Sequence, residues 1–360
     1  MKVEGRAYRT IWTTEDGRAI EVIDQTVLPH RFSTRRIDNL DATVDAIKTM
    51  VVRGAPLIGA TAAYGLALAL DAGADDASLE RAYRRLLESR PTAVNLRYAL
   101  DEMRARVSPL PPKQRARAAW ARAAELCEED VTLSRRIGEA GLELIEAVHR
   151  RTGRAVNILT HCNAGWLATV DWGTATAPIY MAHDRGLPVH VFVDETRPRN
   201  QGASLTAFEL GQHGVPHTLV ADNAGGHLMQ RGKIDLCIVG ADRITARGDA
   251  ANKIGTYLKA LAARANKVPF YVAAPYTTID WTIEDGLNEI EIEERDPREV
   301  THILGRLDDG GLARVLLSPP GTPAANPAFD VTPAELIDGF ITDRGVCAAN
   351  KTALATLFNR

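Results

Sequence analysis

The chain has 360 residues, 45% of them hydrophobic and 25% charged, with a formal net charge of −3. That length and apolar content suffice for two cores, while the slightly acidic balance argues against a general nucleic-acid surface and points to a small ligand. The N-terminus, Met1-Lys2-Val3-Glu4-Gly5-Arg6, has no apolar signal core, and no apolar run reaches the ~18 residues of a membrane span. The four cysteines, at 127, 162, 237 and 347, show neither C-x-x-C spacing nor the density of a disulfide scaffold. A cytoplasmic chain with reduced thiols and no membrane partner is the expectation.

Residues 9–14 and 19–27 flank Glu15-Asp16-Gly17 and predict a β-hairpin, because Asp-Gly supplies the positive φ angles of a tight turn. From 41 to about 149 the pattern is amphipathic, with breaks at Asp71-Ala72-Gly73, at Arg90-Pro91 and at 109–112. Residues 1–150 therefore read as a mainly helical domain with a small β-hairpin region. Within it, Val52-Arg53-Gly54-Ala55-Pro56-Leu57-Ile58-Gly59 leads into an apolar helix over 60–70. Proline suits the first turn, Gly54 and Ala55 leave backbone N–H groups uncovered, and Arg53 adds a guanidinium fork, so the segment can cradle an anion. By spacing alone, an ordinary turn before a buried helix explains it equally well. Arg90 is a second candidate anion contact if Pro91 holds the chain extended, although most loop arginines are simply solvated.

From 155 onward, six apolar runs (155–160, 189–193, 218–220, 236–239, 270–273 and 314–317) alternate with helical segments over 174–185, 201–212, 225–231 and 253–265. This alternation predicts an α/β fold for 151–360, a Rossmann-like domain with a parallel sheet covered on both faces. In such a sheet the carboxyl ends of the strands line one crevice. Two runs end near Cys162 and Asp242, which places a thiol and a carboxylate at that crevice.

Cys162 fits either a small core residue or, beside Asn163-Ala164-Gly165, a thiol whose pKa a helix N-terminus would lower. Asp242 fits a cap, a partner for Arg243, or a general acid if burial raises its pKa. Thr196-Arg197-Pro198-Arg199-Asn200-Gln201-Gly202 follows a strand, so its polar groups belong at the crevice or at a solvated cap. Asn252-Lys253, expected at the start of a helix, suits an oxygen-rich ligand or an ordinary cap. His213 and His217 are separated by Gly214 and Pro216 and lack an acidic partner, and neither a Walker loop nor a Gly-x-Gly-x-x-Gly motif occurs. No metal and no dinucleotide is expected.

Several blocks taken in order carry a resemblance over nearly the whole chain: Arg53-Gly54-Ala55-Pro56, Ser89-Arg90-Pro91-Thr92-Ala93-Val94-Asn95-Leu96, Thr160-His161-Cys162-Asn163, Glu195-Thr196-Arg197-Pro198 with Gln201-Gly202, Gly240-Ala241-Asp242-Arg243, Asn252-Lys253-Ile254-Gly255-Thr256 and Asn326-Pro327-Ala328-Phe329-Asp330-Val331-Thr332-Pro333. The chain resembles the methylthioribose-1-phosphate isomerases, the aldose–ketose isomerases of methionine salvage. The resemblance implies a helical N-terminal domain, a Rossmann-like C-terminal domain, a homodimer and no cofactor. It also implies that Cys162 and Asp242 are the catalytic pair and that Arg53, Gly54, Ala55, Arg90, Gln201, Asn252 and Lys253 contact a sugar phosphate. Asp242 would protonate the departing ring oxygen and Cys162 would assist hydrogen transfer between C1 and C2.

Trp166, Ser204 and Asp222-Asn223-Ala224-Gly225 depart from the family pattern. These positions leave open 5-deoxyribose 1-phosphate or ribose 1,5-bisphosphate as the substrate. A non-catalytic regulatory subunit, of the kind found in the translation-initiation guanine-nucleotide exchange factor, shares the fold and is the reading from another class.

Overall fold

A computed structural model describes residues 1–90 and 94–360. The Asp-Gly turn forms as its chemistry dictates: β1 (Ile11–Thr13) pairs antiparallel with β2 (Ile20–Ile23), Thr13 lying opposite Ile20. A third strand, β3 (Thr34–Ile37), adds to β2. Five helices follow: α1 (Leu40–Lys48), α2 (Ala55–Ala72), α3 (Asp76–Leu87), α4 (Val94–Val107) and α5 (Pro112–Thr152).

Helix α2 is apolar on all sides because the other four helices surround it. By length and composition it would suffice to cross a membrane, which corrects the sequence estimate that no run is long enough. Since 78% of it is buried inside the fold, it is a core helix. Helix α5 runs unbroken for 41 residues to Gly153, whose φ of +67° ends it in a left-handed cap. Its first half packs Ala119, Ala123 and Leu126 into the N-terminal core, and its second half packs Ile137, Leu142 and Ile145 into the next one. Gly141 admits α6 (Ala177–Asp184), since a Cβ there would lie 2.9 Å from Pro178. One stiff helix thus ties the two cores together.

The second half builds β4 (Val156–Thr160), β5 (Val189–Asp194), β6 (His217–Val220), β7 (Leu236–Val239), β8 (Arg243–Thr245), β9 (Ala250–Lys253), β10 (Phe270–Ala273), β11 (His302–Arg306), β12 (Leu312–Leu316), β13 (Phe329–Thr332), β14 (Gly339–Thr342) and β15 (Gly345–Cys347). The central sheet has seven strands in the order β15-β14-β10-β7-β4-β5-β6. All its pairings are parallel except that of the edge strand β15 with β14. From β4 the chain moves to β5 and β6 on one side, and β7 later returns to the other, so the switch point of the sheet lies between β4 and β7.

Two expectations need correction. The run at 314–317 does not join the central sheet; β12 pairs antiparallel with β11 in a separate hairpin, and β14 fills the sheet position instead. Asn252 and Lys253 do not open a helix: they end β9, which lies between β8 and β13 in a side sheet, and the helix α7 begins at Thr256 (Thr256–Asn266). A four-residue run cannot reveal its sheet, because strand pairing is a long-range choice.

Candidate active site

Gly54 caps α2 at φ +87°, a conformation that side chains disfavour, and a Cβ there would lie 2.5 Å from both Cα and O of Ala168. Only glycine allows this approach. It sets the first turn of α2, with Pro56 in it, against the loop that follows β4. Arg53 is buried, and its guanidinium donates to Asn163 Oδ1 at 2.5 Å and to Asn163 O at 2.8 Å. Two fixed hydrogen bonds leave the rest of the fork aimed by construction.

Cys162 lies just past β4 at φ +64°, a strained conformation for a residue with a Cβ. Its N–H donates to Thr196 Oγ1 at 2.8 Å, and its carbonyl accepts from Thr206 Oγ1 at 2.6 Å. The preceding His161 is held between Asp194 Oδ2 and the carbonyl of Ile254, each at 2.8 Å. These bonds hold the strained turn and bring Cys162 Sγ to 3.5 Å from Gln201 Oε1. No α-helix opens after Cys162, only a short 3-10 turn over Trp166–Ala168, so the expected helix N-terminus is missing. Burial pushes the thiol pKa up, with Arg53 and Lys253 opposing the shift. Of the two readings open to Cys162, burial therefore prevails over a thiol with a lowered pKa.

Asp242 lies just past β7, the neighbour of β4, and its N–H donates to Ala251 O at 2.9 Å. Burial pushes its carboxyl pKa up, against the pull of Lys253, Arg53 and Arg90. This favours the protonated form that a general acid needs. Lys253, also buried, stands 4.3 Å above the Phe329 ring; burial lowers its pKa, while Cys162 and Asp242 oppose that. Asn252 Nδ2 donates to Thr256 Oγ1 at 3.0 Å.

Arg53, Gly54, Ala55, Arg90, Cys162, Gln201, Asp242, Asn252 and Lys253 all line one cleft with about 650 Å³ of empty space. Arg90 is 12% exposed rather than solvated, and its Nη2 lies 3.5 Å from Glu293 Oε2. Pro91, expected to extend the chain there, falls outside the described residues. Arg197 and Arg199 are engaged elsewhere: Arg197 donates to Val300 O at 2.6 Å, and Arg199 pairs with Glu299 at 2.9 Å. Among the described residues, His161, Asp194 and Asp222 stand close enough to ligate a cation, but Lys259 Nζ is already 3.1 Å from Asp194 Oδ2 and donates to Asp222 O.

Sequence reasoning missed several supports. In the sequence Asn163 stands only as part of a motif, yet it holds Arg53. Thr196 and Thr206 brace Cys162, and Glu209 Oε2 accepts from Leu167 N at 3.0 Å beneath the same loop. The available signal for Glu209 was a lone acid in the apolar segment Leu205-Thr206-Ala207-Phe208-Glu209-Leu210.

Comparison with known proteins places this geometry in context. Residues 51–349 match the model of the initiation factor 2 subunit family. The methylthioribose-1-phosphate isomerase of Methylorubrum populi is 62% identical over 358 residues, covering 99% of this chain and 98% of that protein. The crystal structure of 5-methylthioribose 1-phosphate isomerase from Pyrococcus horikoshii superposes with a TM-score of 0.85 at 40% identity, over 98% of this chain and 96% of that one. The delta subunit of translation initiation factor eIF-2B from A. fulgidus superposes at 0.79 with 35% identity, over 98% and 100%. The chain belongs to the initiation factor 2 subunit family and, within it, to the methylthioribose-1-phosphate isomerases.

Proposed function

We propose that the chain isomerises 5-methylthioribose 1-phosphate to 5-methylthioribulose 1-phosphate, with Asp242 and Cys162 as the catalytic pair. One observation carries the assignment of roles: a half-buried acid and a buried thiol, from the ends of adjacent parallel strands, face one cleft with Arg53 and Lys253. The anomeric oxygen of this substrate carries the phosphate, so the ring cannot open by losing an anomeric proton. Cleavage of the bond between C1 and the ring oxygen instead needs a proton delivered to that oxygen. Asp242, its pKa raised by burial, is the donor.

Hydrogen then moves from C2 to C1, the C2 hydroxyl becomes the ketone by giving its proton to the Asp242 carboxylate left by ring opening, and the reaction is redox-neutral within one molecule. Cys162, its pKa raised by burial, stands beside this transfer. Arg53, Lys253 and the backbone at Gly54 and Ala55 hold the phosphate, which fixes the sugar between acid and thiol. Every step falls to side chains of this chain, and none calls on a cofactor. The reading includes a homodimer in the cytoplasm; the exposed Leu304, Leu312 and Leu316 of the β11–β12 hairpin offer apolar surface for a second copy to cover.

Incubating the purified protein with methylthioribose 1-phosphate tests the reading, which expects stoichiometric appearance of the ketose. Retention of aldose with folded protein contradicts it. Repeating the reaction in deuterated water distinguishes two transfer routes: solvent deuterium at C1 marks an enediol, whereas a direct hydride shift excludes it.

A further inference from the structure

The ring oxygen that Asp242 protonates bridges C1 and C4; Cys162 works at C1 and C2 on one side of it, and C4, which carries C5 and its substituent, lies on the other. The 5-substituent therefore points past Asp242, away from Cys162. There the structure has a recess walled by Ile58, Ile290, Ile292 and Phe329, with Arg243 and Glu291 also at its lining. The recess shares Asp242 and Arg90 with the main cleft but not Cys162, Arg53 or Lys253.

Both arginines at the recess are engaged: Arg243 Nε lies 3.9 Å from Asp280 Oδ2, and Arg90 faces Glu293. Glu293 Oε1 accepts from Arg295 Nη1 at 2.8 Å, and Glu293 Oε2 lies 3.5 Å from Arg90 Nη2. Glu293 thus engages Arg90, a guanidinium at the recess, while Arg295 lies outside the lining and is paired with Glu299 as well. Arg90 Nε and Glu293 Oε2 are buried without a hydrogen bond, so the pair is held by charge rather than by good geometry. Arg197 and Arg199 are committed to the segment around Glu299 and Val300.

We propose that Glu293 sets the selectivity of the site at C5, neutralising Arg90 so that the recess takes an uncharged substituent and refuses a phosphate. This rests on the isomerase reading above. A 5-phosphate entering the recess would find Arg90 already paired with Glu293 and would meet the Glu291 carboxylate at the lining. A methylthio group meets the isoleucines and Phe329 and disturbs neither charge. Selectivity of this kind comes from a built-in repulsive element as much as from attraction.

The test measures kcat/KM for methylthioribose 1-phosphate, 5-deoxyribose 1-phosphate and ribose 1,5-bisphosphate with wild-type protein, Glu293→Gln and Glu293→Ala. Gln keeps the shape without the charge, and Ala removes both, so one readout survives if the other variant misfolds. Wild type is expected to prefer the methylthio sugar to the bisphosphate by roughly 100-fold or more, and either variant to shrink that ratio by about 10-fold or more, chiefly through faster turnover of the bisphosphate. Wild type preferring the bisphosphate overturns the proposal. So does an unmoved ratio in folded variants that still turn over the methylthio sugar, and in that case the isomerase reading stands. No turnover of any of the three by wild type overturns both.

Discussion

Replacing Gly54 by alanine tests the link between the turn before α2 and the anion site. The residue sits at φ +87°, ψ 134°, and the new Cβ would lie 2.5 Å from Ala168 Cα, 2.5 Å from its O and 2.6 Å from its Cβ. Two of those atoms are backbone and cannot rotate away. The dihedral strain costs about 1–3 kcal/mol and the overlap about 1–3 kcal/mol more, so the fold should lose roughly 2–6 kcal/mol. At roughly 2 °C per kcal/mol for a large domain, Tm falls by about 4–12 °C. Relief of the overlap moves the start of α2 by about 0.9 Å, enough to bring the contact to the 3.4 Å of ordinary packing. A displacement of that size at a positioning element lowers kcat/KM by roughly 100-fold. Calorimetry and steady-state kinetics on Gly54→Ala give both numbers. A Tm within about 1 °C of wild type together with kcat/KM within about twofold would refute the reasoning, since both rest on the same overlap.

Arg53→Lys keeps the charge but exchanges a fork that binds Asn163 twice for a single point donor. Losing a charge-assisted hydrogen bond costs about 1.5–3 kcal/mol, so calorimetric titration should show substrate or inorganic phosphate binding weakened by roughly 10- to 150-fold; unchanged affinity would contradict the cradle. Glu209 makes a prediction about pH and stability. Burial pushes its carboxyl pKa up from 4.5 to about 7, so the folded state binds the proton more tightly than the unfolded state. Its stabilising contribution is complete below the unfolded value and disappears as pH rises through 7, amounting to at most ~3 kcal/mol. Urea unfolding at pH 5 and pH 8 should show a smaller loss for Glu209→Gln than for wild type. Asp130, also pushed to about 7, keeps part of the slope in the variant. Parallel pH profiles for the two proteins would contradict the assignment.

Features set by local chemistry could be read directly from the sequence. The Asp-Gly turn forces the first hairpin, and the alternation of apolar runs with helices predicts the parallel sheet. The positions of Cys162 and Asp242 just after two such runs foretell their meeting at the switch point, because strand ends in such a sheet share a crevice. What depends on distant pairing could not be read this way. Ala250-Ala251-Asn252-Lys253 has little β propensity and becomes a strand through its partners β8 and β13. The 314–317 run is apolar enough for a core strand but pairs with β11 at the surface. The choice between the two readings of Cys162 is illegible for a related reason: no helix follows it, and how deeply the loop is buried depends on α2 and on the helix carrying Glu209. Arg90 seemed a loop arginine until the segment bearing Glu293, about two hundred residues away in sequence, folded against it.

The most direct measurement of the central claim is the turnover of methylthioribose 1-phosphate by Cys162→Ser and Asp242→Asn, with thermal unfolding and substrate binding measured on the same samples. Both substitutions are nearly isosteric, so the fold and the phosphate cradle should remain. If Asp242 delivers the ring-opening proton and Cys162 assists the hydrogen transfer, each variant binds substrate but loses roughly 10²- to 10⁴-fold in kcat. Near-wild-type turnover by either folded variant would contradict its place in the catalytic pair.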